Sequence, residues 1–107
     1  MAIDNSLYDS LENAYVKIQS YLNNRQLGRE HSEMIVKNEE LGELLERLDI
    51  EAIEEQHKDI DALHAILNDI KDDSKKVIED LNGSDTTVTN VVAGLNTIFS
   101  KINEVIV

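Results

Sequence analysis

Cysteine, proline and tryptophan are absent from the 107 residues, and aromatic rings are scarce, with one Phe and three Tyr. Without cysteine there is no disulfide framework, no thiolate nucleophile and no thiolate zinc site. Without proline no helix interior loses a backbone donor or is kinked by a pyrrolidine ring. Basic residues are also few: 10 Lys and Arg stand against 22 Asp and Glu, for a formal charge of -12. That charge opposes any surface that tracks phosphates, so no nucleic-acid partner is expected. No apolar run reaches the roughly 18 residues of a membrane span. The opening MAIDNSLYDSLE lacks the basic start and apolar core of a secretory signal. The cytoplasm is therefore the expected compartment, although export by a signal-less route would leave the same trace.

What is present is 41% hydrophobic residues at regular spacing, enough to bury a core. The charge is unevenly placed. Residues 1–28 and 83–107 each carry a net of -1, and the rest lies in residues 29–82. Within that middle, Glu39 to Asp61 holds ten acids against Arg47 and Lys58. Such a run reads first as a solvated helix face, and second as a docking face for a basic partner or a cation.

Apolar residues recur at steps of three and four, which predicts helix nearly throughout a single all-α domain. A first helix is expected over about residues 4–27. Tyr8, Leu11, Tyr15, Ile18 and Leu22 form its stripe, widened by Leu7, Ala14 and Tyr21. Asp4 is placed to cap it, Ile3 to staple onto Tyr8, and Gly28 to end it in a left-handed conformation. A second helix, about 30–48, turns Met34, Leu41, Leu44, Leu45 and Leu48 inward, with Gly42 costing it about 1 kcal/mol of propensity. A third, about 49–81, has the clearest pattern: Ile60, Leu63, Leu67, Ile70, Ser74, Val77 and Leu81 make a coiled-coil seam with one polar member. The seam drifts near residues 48–53, where a kink or short break with Asp49 as cap is expected.

Asn82-Gly83-Ser84-Asp85 is a turn signal. Beyond it a nearly uncharged helix, about 86–106, aligns Val88, Val92, Leu95, Phe99, Ile102 and Ile106, flanked by Val91, Ile98 and Val105. Its opposite face is Asn, Thr, Ser and Gly, the composition of a face that is covered, either in the bundle or at a subunit contact. The fold class expected is an elongated antiparallel bundle, or coiled coil, of three to four helices. A rod over 49–81 would be about 50 Å long, too long for so small a chain to wrap. The excess of seam predicts a homo-oligomer, dimer or tetramer, or a helical partner along Ile60, Leu63, Leu67, Ile70, Val77 and Leu81.

Two patterns bear on chemistry. Glu54-Glu55-Gln56-His57 and Asp61-Ala62-Leu63-His64 are carboxylate and imidazole pairs at i, i+3, a spacing that builds metal sites in bundles. Here both fall on one expected helix and flank the seam, as surface histidines beside carboxylates do. The other is Lys37-Asn38-Glu39-Glu40-Leu41-Gly42-Glu43-Leu44. Its E-E-x-x-E core resembles the first metal motif of the all-α MazG-like nucleotide pyrophosphohydrolases. The resemblance implies a four-helix subunit in which Glu39, Glu40 and Glu43 ligate Mg²⁺ against substrate phosphates. That family's second motif, E-x-x-D on the next helix, has no counterpart at the expected distance, Glu46 to Asp49 lying too close to the first; Asp69-Ile70-Lys71-Asp72 is the nearest substitute.

No G-x-S-x-G, glycine-rich phosphate loop or other complete catalytic set occurs. The leading expectation is thus a non-enzymatic acidic interaction protein, an adaptor or small chaperone, needing no cofactor. It would bind a helical or basic protein and no membrane. The Mg²⁺-dependent pyrophosphohydrolase is the alternative. A nucleic-acid mimic that blocks a basic protein is the second.

Overall fold

The computed structural model describes residues 6–24, 26–82 and 87–106. Among them are five α-helices: α1 (Ser6–Asn23), α2 (Ser32–Arg47), α3 (Ile50–Gln56), α4 (Ile60–Asp80) and α5 (Thr87–Ile106). A short 3-10 turn, Arg29–His31, precedes α2. The all-α expectation holds, and no strand occurs among the described residues.

Four of the helices make the bundle. α1 packs on α2 and α4, and α5 packs on α4 and α2, while the pairs α1/α5 and α2/α4 touch little. The four therefore stand at the corners of a square, with α2 diagonal to α4. Lys101 meets Asp73 and Gly94 meets Val77, so α4 and α5 are antiparallel. Asn38 and Gly42 meet Tyr15, which places α1 and α2 together as the other hairpin. The connection from α2 to α4 must cross one end of the bundle, and α3 is that crossing.

Here the sequence expectation of one helix over 49–81 is corrected. The chain leaves helical geometry at His57 and restarts at Ile60. Asp49 accepts the backbone N–H of Ala52 at 3.1 Å, and Asp59 accepts that of Ala62 at 3.0 Å. Both caps satisfy an amide that has no partner within its helix, and each has an acid in its first turn, Glu51 or Asp61, where the helix dipole favours one. The rod of about 50 Å is thus a 7-residue helix and a 21-residue helix, and the whole molecule is 46 Å in its longest dimension.

The seam is largely covered from within the chain. Leu63, Leu67, Ile70, Ser74 and Val77 are buried, Leu81 is half-buried, and Ile60 is 37% exposed at the start of α4. Ser74, the polar member, donates its hydroxyl to the Ile70 carbonyl at 3.0 Å and is satisfied. The length argument for a second copy therefore loses its premise, since no unwrapped half-rod exists.

Other expectations shift by fractions of a turn. In α1 the buried line is Leu7, Leu11, Ala14, Ile18 and Leu22, with Tyr8, Tyr15 and Tyr21 at its edges. α1 ends at Asn23, earlier than expected, and Gly28 is extended (φ -118°) rather than left-handed. Its amide instead binds His31 Nδ1 at 3.0 Å. In α5 the face centres on Val91, Leu95, Ile98, Ile102 and Val105. Its small polar back, with Thr89, Ala93, Asn96, Thr97 and Ser100, is exposed rather than covered by the bundle. The expected Asp4 cap and Ile3 staple lie outside the described residues, as do residues 83–85 of the expected turn at 82–85.

Candidate functional site

The acidic motif lies on the outer side of the α1–α2 hairpin, and Gly42 determines its shape. A Cβ built at Gly42 would lie 2.9 Å from Cε1 of Tyr15 and 3.1 Å from its hydroxyl. No side chain fits there unless the ring moves, so glycine lets the phenol rest on the α2 backbone. Gln19 Nε2 donates to the Tyr15 hydroxyl at 3.1 Å, which fixes the outer end of the ring.

Around this contact runs a groove of about 550 Å³ lined by Tyr8, Glu12, Tyr15, Val16, Glu39, Gly42, Glu43, Leu45 and Glu46. On α1, Tyr8, Glu12 and Tyr15 follow at steps of four and three. On α2, Glu39, Glu43 and Glu46 do the same. Both sets therefore face one side of their helices. All four glutamates are exposed, and Val16 is 50% exposed. Among the described residues, no lysine, arginine or histidine lines the groove.

Of the three carboxylates that the resemblance assigns to a metal, Glu39 and Glu43 line this groove. Glu40 does not. It pairs with Lys37 at 3.6 Å, and the same ammonium lies 5.8 Å from the centre of the Phe99 ring on α5. Asn38, within the motif, points inward: its Nδ2 donates to the Tyr15 carbonyl at 3.4 Å, and its Oδ1 has no partner among the described residues. Asp69 and Asp72 lie on α4, diagonal to α2. Among the described residues, no group of three or more His, Asp or Glu is arranged to hold a metal ion.

The two carboxylate–imidazole pairs are rewired by the break before α4. His57 Nε2 sits 2.7 Å from the Val105 carbonyl and not on Glu54. Glu54 instead reaches His64 Nε2 at 3.3 Å. These contacts tie α3 to α5 and α4, so the imidazoles hold the crossover in place. His31 is buried beside Gly28.

Two other grooves contain their own cations. One, of about 390 Å³ between α4 and α5, has Asp73, Lys76 and Asp80. The other, of about 320 Å³, has Arg47 and Asp49 at the α2–α3 junction. Near the first, Lys101 Nζ donates to Asp73 Oδ2 at 2.7 Å. That hydrogen bond, with the nearby charges of Asp73, Asp69 and Glu104, outweighs partial desolvation and raises the Lys101 pKa above its ordinary 10.5.

Sequence reasoning placed Glu39 and Glu43 in a candidate site but missed Tyr8, Glu12 and Tyr15 as the facing wall. The available signal was Gly42, since a glycine inside a helix at a cost in propensity points to a close approach. Comparison of the chain with protein-family models, with curated proteins and with solved structures finds no match.

Proposed function

We propose that this chain is a non-enzymatic acidic interaction protein whose partner is a basic protein surface. The observation that supports this most is the unneutralised α1–α2 groove, where four exposed glutamates stand with no base among the lining residues. Charge of one sign gathered in a concave surface raises the local concentration of oppositely charged partners and speeds their encounter. A hydrolase reading needs Glu39, Glu40 and Glu43 to act together, whereas Lys37 draws Glu40 into a separate pair. A helical partner along the seam would have to displace α1 and α5 from Leu63, Leu67, Ile70 and Val77.

The test is capture of binding proteins on the immobilised chain, elution by a salt gradient, and identification of what elutes. Partners with basic surfaces are expected, released as screening shortens to a few ångströms at about 1 M salt. Neutral or acidic partners held through high salt would refute the reading. A partner that DNA displaces would belong to the nucleic-acid-mimic class of basic partner.

A further inference from the structure

We infer that the α1–α2 groove is the docking site for an arginine-bearing helical segment of the basic partner. The inference rests on the reading above and gives it a place and a chemistry. The groove is not merely acidic. Tyr8 and Tyr15 line it two turns apart, Val16 and Leu45 add apolar surface, and Glu12 lies between the two tyrosines in sequence. A guanidinium ion matches both parts, because its planar fork binds a carboxylate through two hydrogen bonds and its face stacks on an aromatic ring. An ammonium supplies the charge without the stacking plane, so arginine is the fitting residue.

Charge also selects among occupants. A second copy would bring its own net charge of -12 against the four glutamates. The α4–α5 groove and the groove at the α2–α3 junction already contain Lys76 or Arg47, which offset their acids internally. Spacing then suggests the form of the ligand. Tyr8 and Tyr15 are separated by about 10 Å along α1. Arginines seven apart on a helix lying alongside would meet one tyrosine each, with the intervening i+4 position near the carboxylates.

The experiment uses a labelled 16-residue alanine-based helix with arginines at i, i+4, i+7 and i+11, titrated with the full chain and followed by fluorescence anisotropy. One control peptide carries lysines at the same positions. Another has the same arginines spread evenly around the helix. The doubly reversed variant E39K/E43K changes two exposed residues of the groove. The variant E51K/E55K makes the same charge change at exposed positions of α3. Circular dichroism verifies that each variant is folded.

The groove reversal is expected to weaken arginine-helix binding at least tenfold more than the α3 reversal, a difference of about 1.4 kcal/mol. The lysine helix and the dispersed helix should both bind several-fold more weakly than the arginine stripe. Equal losses from the two reversals, or a greater loss from α3, would overturn the groove while leaving a basic partner in place. Equal affinity for lysine and arginine would overturn the stacking role. A doubling of mass on concentration that E39K/E43K abolishes would make the occupant a second copy. Failure of the unaltered chain to bind any of the cationic helices would bring down the proposed function itself.

Discussion

Replacing Gly94 by alanine tests the packing of α4 against α5 through the sign of its effect. At an open helix position the change should stabilise, since alanine exceeds glycine in helix propensity by about 1 kcal/mol. At Gly94 the new Cβ would stand 2.6 Å from Cγ2 of Val77, well inside van der Waals contact. Val77 is 1% exposed, and a β-branched side chain in a helix has one strongly preferred rotamer, so it cannot swing aside. The helices must separate instead, at the roughly 1–3 kcal/mol typical of overpacking. The net expectation is destabilisation by up to about 2 kcal/mol, the overpacking cost less the propensity gain. In a domain of this size 1 kcal/mol moves Tm by roughly 4–8 °C. Urea melts followed by circular dichroism would read it directly. V77A alone removes two methyl groups, worth about 0.8 kcal/mol each before any cavity cost. Combined, the two changes should cost clearly less than their sum, because the methyl at 94 enters the space vacated at 77. A G94A protein more stable than the parent, or strict additivity of the pair, would show that the two helices do not approach as closely as described.

Further expectations follow from other contacts. L67D places a carboxylate at a buried position of α4, at a cost of several kcal/mol that is a large part of a small domain's total stability; a circular dichroism melt close to the parent's would refute the core assignment. D59A and D49A each remove a cap hydrogen bond and should lower stability by about 1 kcal/mol, measured by urea denaturation. Lys101 is raised above 10.5 by its hydrogen bond to Asp73. Its contribution is accordingly complete below pH 10.5 and is lost as pH climbs through the higher value of the folded protein. The K101M variant should show less of that alkaline loss than the parent in thermal melts, and an identical alkaline slope would discount the pair.

The helical faces were legible because burial imposes a three- and four-residue rhythm that few other arrangements share. Leu63, Leu67, Ile70 and Val77, read as a seam, are buried, but rhythm shows only that a face is covered, not by what. α1 and α5 of the same chain supply the cover, and nothing in the stepping of α4 distinguishes them from a second molecule. The missed break at residues 57–59 did leave a trace. Asp59-Ile60-Asp61-Ala62 repeats the pattern of Asp49-Ile50-Glu51-Ala52 ten residues earlier, and both aspartates cap helices. The apolar stepping masked it, since Ile60 keeps the phase of the helix it begins. Half of the groove could be read locally, because Glu39 and Glu43 share one helix. Tyr8, Glu12 and Tyr15 could not, because their meeting with α2 is a product of the tertiary fold.

The diagonal crossing of α3 has a consequence for how the molecule comes into being. Each hairpin exposes a greasy flank that only its opposite number can hide, so residues 48–59 tether two incomplete halves rather than link two finished ones. The core that all four helices share closes only when the hairpins meet, and the tether, by holding them near each other, turns an encounter between strangers into a closure within one chain.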